Sequence, residues 1–222
     1  MNNIKGLLVK DILQLKSYKK TLIFFIIIFI LTSISNDGRI GSALIIMLTL
    51  GFGMFSIASF SYDETNKADK FILTLPLTKK EVVLSKYILI ISSTVIGSII
   101  GIILSCIFSI ILSKQIPNIF EILSVALGGI LVIGFIESVQ IPCIYKWGAE
   151  KGRIQMMILS ALVALLAGVI SFAVEKANIQ LQSNNIIEII NQYLPLIFIV
   201  LTIIIYYISY RVSYKIYDRK EL

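Results

Sequence analysis

Residues 87–112 read Y-I-L-I-I-S-S-T-V-I-G-S-I-I-G-I-I-L-S-C-I-F-S-I-I-L, a run without one charged side chain. An α-helix rises about 1.5 Å per residue, so roughly 20 apolar residues cross the ~30 Å hydrocarbon layer of a bilayer. Lipid offers the backbone no hydrogen-bond partner, so the segment must be helical despite an isoleucine content that would favour strands in water. Working outward from it, residues 18–34, 40–60, 119–139, 154–174 and 194–210 are further apolar runs. The expectation is an all-α polytopic membrane protein with six transmembrane helices. The first run is short, and spans only if Lys19 and Lys20 lay their stems along lipid and lift their ammonium groups to the interface.

Composition agrees. Of 222 residues, 57% are hydrophobic and 15% charged, with a mean hydropathy of +0.92. A soluble domain carries about 25% charged residues to cover its surface, and this chain cannot. All of the 20 Lys and Arg except Arg39, Lys114 and Lys176 fall before the first run or at its very start (Lys19 and Lys20), between the second and third, between the fourth and fifth, or after the sixth. By the positive-inside rule both termini and those two loops are cytoplasmic. The net charge of +7 is accounted for by these loops, and no aromatic-interleaved basic stretch points to nucleic acid.

Residues 1–17 form a separate N-terminal unit. Ile4, Leu7, Leu8, Ile12 and Leu15 recur at helical spacing, with Lys5, Lys10, Asp11, Gln14 and Lys16 on other faces. This predicts an amphipathic helix lying on the inner membrane surface, the plainer alternative being a tail with basic anchors. The transmembrane domain then occupies 18–222, with cytoplasmic loops at 61–86 and 140–153. Met1–Lys20 lacks the compact apolar core and small-residue site of a cleavable signal peptide. Residues 186–190 are either a short helix dipping back from the far side or the start of the last run.

Chemistry is scarce. The chain has no His, so His-dependent triads and His-ligated zinc are excluded, and Cys106 and Cys143 suggest neither a disulfide nor a metal site. No phosphate-binding GxxxxGK[ST] loop and no activated nucleophile is present. Catalytic residues and metal ligands are therefore not expected. Glu121 and Glu137 lie near the ends of the fourth run and are expected to reach water. Without a mid-membrane charge an ion-driven carrier is disfavoured. In the third run Ser93, Gly97, Gly101, Ser105 and Ser109 recur every four residues, a small-residue face for close helix packing or for a surface that parts when a pathway opens. Ser160, Ala164 and Gly168 repeat this more weakly in the fifth.

The loops carry the remaining information. In 61–86, Pro76 disfavours helix at Leu75, while Thr78 with Glu81 forms a capping box that starts a helix running into the third span. Residues 66–73 can form a short helix offering Phe71, Ile72 and Leu75 to a partner. The second loop, P-C-I-Y-K-W-G-A-E-K-G-R from Pro142 to Arg153, holds the single Trp, which is an interface anchor or a partner contact.

The N-terminal helix with Lys10-Asp11, the six runs, the "YDE…LPLTKKEVVLSKY" stretch and the "P…YKWGAEKGR" stretch together resemble the permease subunits of bacterial type-2 ABC exporters, in particular those of phenol-soluble modulin exporters. The resemblance implies a bacterial plasma-membrane exporter of amphipathic or hydrophobic, cytotoxic or antimicrobial peptides. Two permeases, identical or sister subunits, pair above two separate ATPase subunits that bind the ATP and magnesium; this chain itself holds no cofactor and is not the enzyme. It also implies that Asp63, Glu64, Lys67, Phe71, Leu75, Pro76, Trp147, Gly148, Glu150 and Lys151 contact the ATPase. The alternatives are an ATP-independent carrier or channel, and a non-transporting immunity or sensor subunit.

Overall fold

The computed structural model describes residues 2–16, 40–72, 74, 76–113, 119–176 and 185–219, with isolated helical positions among 19–28. The described chain is helical: α1 (Asn2–Lys16), α2 (Ile40–Thr65), α3 (Ala68–Ile72), α4 (Lys79–Phe108) running into a π-helical turn (Ser109–Ser113), α5 (Ile119–Trp147), α6 (Ala149–Lys176) and α7 (Asn185–Asp218). Four stretches, Ser42–Thr65, Lys79–Ile111, Ile119–Trp147 and Ile199–Asp218, are long and apolar enough to cross a membrane. The first expected span, 18–34, falls mostly outside the described residues, as does Leu75. Residues 186–190 belong to α7, which continues unbroken into the last expected span.

Close packing of α4 on α2 follows from the small residues. A Cβ added at Gly97 would lie 2.7 Å from Cβ of Phe52 and 2.8 Å from the Leu48 carbonyl oxygen, and one at Gly101 2.8 Å from Cα of Ile45. Glycine at these two positions lets the backbones touch. Ser105 is buried in line with them. The outward side of α4, with Ile91, Val95, Ile99, Ile103 and Ile107, stays exposed, as an apolar face meeting lipid does.

The larger hydrophobic core is gathered at the end of the bundle that bears the loops 61–86 and 140–153. Leu7 of α1, Phe60 of α2, Ile72 of α3, Val83 and Tyr87 of α4, Ile144 and Tyr145 of α5 and Tyr217 of α7 all belong to it. Its aromatic rings meet edge to face, Phe60 with Tyr145 at 5.4 Å and Tyr145 with Tyr217 at 5.5 Å. Lys79 donates to the Asp218 carbonyl at 2.7 Å, bringing the end of α7 to the start of α4.

Two expectations are corrected. The docked face of α1 includes Leu7 and Asp11, only 1% exposed, whereas Ile12 stands outward with Val9 and Leu13. Asp11 sits four residues from both Leu7 and Leu15 and so shares their stripe; it is buried because cations await it there. Glu137, expected to reach water, is fully buried. Helix α5 does not end near Val139 but runs on through Pro142 to Trp147. Ten further residues place Glu137 about 15 Å inside the helix end.

Candidate functional site

The loop end is built by short-range rules first. Helix α2 stops at Thr65, and Lys67, with φ of 50°, turns the chain into α3. Thr74 donates its backbone N–H and its hydroxyl to the Phe71 carbonyl, closing α3 before Pro76. The capping box is present: Thr78 accepts from the Glu81 N–H at 3.3 Å, and the Thr78 N–H donates to Glu81 Oε2 at 2.9 Å. Thus α3 and Pro76 form a compact elbow between two long helices. Phe71 projects from it 68% exposed, while Ile72 is buried beneath, contrary to its expected place on the partner-facing side.

The two loops meet through Glu64. Its Oε2 accepts from the Ala149 N–H at 2.7 Å, capping the start of α6 with a carboxylate from the end of α2. A helix N-terminus leaves N–H groups unsatisfied and favours negative charge, so this contact supplies both needs. Gly148, with φ of +90°, makes the turn from α5 into α6; a Cβ there would sit 2.7 Å from Glu64 Oε1. Trp147, Glu150 and Lys151 are exposed around that turn, with Lys146 Nζ 4.9 Å from the centre of the Trp147 ring.

Beneath this surface lies an ion network that joins α1, α2 and α4. Lys86 Nζ is 2.6 Å from Asp63 Oδ2 and 2.9 Å from Asp11 Oδ1. It also donates to Ser59 Oγ at 2.6 Å and faces the Phe60 ring. Lys10 donates to Asp63 Oδ1 at 2.8 Å and lies 3.2 Å from Asp11, and Gln14 Nε2 adds a bond to Asp63 Oδ1 at 3.1 Å. The two lysines balance the two aspartates, which is what allows such groups to be buried. Burial pulls the Lys10 ammonium down, but Asp11 and Asp63 outweigh it and hold Lys10 above the ordinary lysine value. A cavity of about 50 Å³ lies between this network and the second loop, bordered by Asp63, Glu64, Lys86, Tyr145 and Ala149.

Of the expected contact residues, then, Lys67, Phe71, Pro76, Trp147, Glu150 and Lys151 are exposed at the loop end. Asp63 is only 6% exposed, and its carboxylate is committed to Lys10, Lys86 and Gln14. Glu64 is exposed as well, and its carboxylate reaches the α6 N-terminus and joins the loops. Ser93, Gly97, Gly101, Ser105 and Ser109 line up along α4 and its π turn, with Gly97, Gly101 and Ser105 buried.

The role of Lys86 was missed in the sequence, where it counted as one more loop cation. A signal was present: its helical neighbours Val82, Val83 and Ile90 are apolar, and a lysine centred on such a face needs a buried counter-charge. No curated protein and no solved structure matches the chain. The family model described as ABC-2 family transporter protein matches residues 6–218, and the chain belongs to that family of membrane transport proteins.

Proposed function

We propose that the chain is the permease subunit of an ATP-binding-cassette exporter in a bacterial plasma membrane, with six spans and both termini in the cytoplasm. It pairs with a second permease, identical or sister, and is driven by two copies of a separate ATPase subunit that bind ATP and magnesium. The cargo is an amphipathic or hydrophobic peptide of the cytotoxic or antimicrobial type, a reading supported by the aliphatic and small hydroxyl side chains of the spans.

The observation that carries the coupling assignment is Phe71, a large apolar side chain 68% exposed on a short helix whose other face is anchored in the core by Ile72. An exposed aromatic on a short elbow, with Lys67 exposed beside it in the chain and Glu150 and Lys151 exposed at the second loop, has the composition of a protein–protein contact with a polar rim. Trp147, 50% exposed at the second loop, extends that surface. Glu64 ties the two loops together, so a push on either reaches α2, α4 and α6 as one body.

The test is co-purification with candidate ATP-binding-cassette subunits and transport in proteoliposomes. Phe71→Asp is expected to cut permease-stimulated ATP hydrolysis by about tenfold or more, the size of a lost interface hot spot, while leaving the permease folded. Failure of every encoded ATPase partner to bind would overturn the reading. Cargo flux from the permease alone, without ATP, would establish the carrier alternative instead, and a stable complex without ATP-dependent export the non-transporting one.

A further inference from the structure

Glu137 is the one acidic side chain among the described residues that is fully buried and has no cation among its partners. Thr94 Oγ1 of α4 lies 2.9 Å from Glu137 Oε1 and 3.1 Å from Oε2. Tyr206 of α7 donates its hydroxyl to Oε2 at 2.9 Å. Gly53 of α2 closes the site: a Cβ there would lie 2.1 Å from Oε1, so only glycine admits the carboxyl group. Four helices therefore meet around a single side chain.

Counting hydrogens points to the chemistry. Thr94 Oγ1 is also 2.9 Å from the Ile90 carbonyl oxygen, which can only accept. The Thr94 hydroxyl has one hydrogen. If it goes to Ile90, Thr94 must accept from Glu137, and an ionised carboxylate has nothing to give. The two hydroxyls carry two hydrogens for the contacts of Thr94 with Ile90 and with both Glu137 oxygens and of Tyr206 with Glu137. A hydrogen on Glu137 lets Thr94 donate to Ile90 and accept from Glu137 at the same time. An unpaired carboxylate in the bilayer interior, served by hydroxyls alone, would also be costly.

We propose that Glu137 is a proton-binding site held as the neutral acid, and that this proton closes a clasp through which Glu137 positions α4 and α7 against α5. In the clasp Glu137 donates to Thr94, Thr94 donates to Ile90, and Tyr206 donates to Glu137. Any movement that parts α4 from α5 must break the first of these bonds. The inference rests on the membrane-spanning reading but not on ATP coupling, so it is tested on the permease alone.

Infrared spectra of the full-length protein in lipid nanodiscs at neutral pH, compared between wild type and Glu137→Gln, are the direct measurement. The expected result is a carbonyl band of a protonated carboxylic acid that is absent in Glu137→Gln and moves in Thr94→Val, which removes its acceptor. The moving band in Thr94→Val keeps the test valid if Glu137→Gln folds poorly. In melting of the permease alone, Glu137→Gln, itself neutral and a donor, is expected to stay closer to wild type than Glu137→Val, which loses the hydrogen bonds altogether. A purely steric role would let Val and Gln behave alike and would leave no protonated band. Absence of that band from the wild type, or its presence unchanged in both Glu137→Gln and Thr94→Val, overturns the proposal.

Discussion

At the loop end of the bundle, Lys86 neutralises Asp11 and Asp63 with help from Lys10 and Ser59. Eight residues further along α4, about 12 Å deeper, Thr94 meets Glu137 with only hydroxyls for company. Both sites bury carboxyl groups against α2 and α4. Near the membrane surface the solution is opposite charge, with water close enough to soften the desolvation of long side chains. Deeper in, every charge would need a partner that could follow it through any movement, and the site uses neutral hydrogen bonds instead. The first arrangement ties α1 and the loops into a rigid floor; the second holds spans that a transporter must be able to separate.

The sharpest way to break this comparison is Lys86→Met. It leaves two buried aspartates sharing Lys10, and removal of one partner from a buried ion cluster costs about 3–5 kcal/mol. The expected outcome is a large loss of folded protein in detergent melting, partly restored by adding Asp11→Asn, which removes one orphaned charge. Glu137→Gln is expected to cost no more than about 1.5 kcal/mol, the scale of a neutral hydrogen bond. Equal costs for the two would mean that charge pairing does not distinguish the sites. Gly53→Ala comes next. Its Cβ must displace Glu137 Oε1 from 2.1 Å, an overpacking expected to cost about 1–3 kcal/mol. Gly129→Ala is the control, since its Cβ would meet nothing nearer than Ile46 Cγ1 at 4.0 Å, and its melting temperature should stay at or above wild type.

These two sites also mark where sequence reading stops. The helices around residues 40–60 and 87–112 were legible because an apolar run of spanning length has few other uses, and Thr78 with Glu81 because a capping box lies within four residues. The small-residue row of α4 was legible as a packing face, and Gly97 and Gly101 do touch α2. What failed were polar residues paired across long separations. Asp11 and Lys86 lie 75 residues apart, and taken singly each looks like a solvated charge. Glu137 reads in the sequence as the water-reaching end of a span, although it, Ser138 and Gln140 are all buried by α4, α7 and the start of α6. A sequence shows that a residue is polar, but its partners lie on other helices. The cap on α6 is a similar case: Gly148 offers no side chain where Ser, Thr, Asp or Asn is usual, and Glu64 arrives from another helix to fill the place.

That remote cap gives the third prediction, which concerns the floor alone. Glu64→Ala removes a charged acceptor from the first turn of α6 and is expected to cost about 1 kcal/mol. Gly148→Ala strains a φ of +90° and crowds Glu64 at once, with a cost of about 1–2 kcal/mol. Amide exchange at Ala149 should quicken in both. If the loops work as one body, both variants should also weaken ATPase stimulation without touching Phe71. Faster exchange with undiminished stimulation would separate the Glu64 link from coupling.

The smallest effect concerns Lys10, the partly exposed member of the ion network, and its sign follows from the environment. Burial opposes its charge, yet Asp11 and Asp63 raise its folded-state value above the ordinary 10.5. A group that holds its proton more tightly when folded contributes stability that is complete below the unfolded value and is lost as pH rises through the folded one. Wild type should therefore exceed Lys10→Met in melting temperature at neutral pH, and the gap should narrow only in strongly alkaline buffer, above about pH 10.5. Because the buried Lys86 still contacts both aspartates when the partly exposed Lys10 is gone, the gap should be much smaller than that for Lys86→Met. A gap that closes below the ordinary lysine value would mean that burial, and not the two aspartates, governs this residue, and the loop-end network would then contain one working cation instead of two.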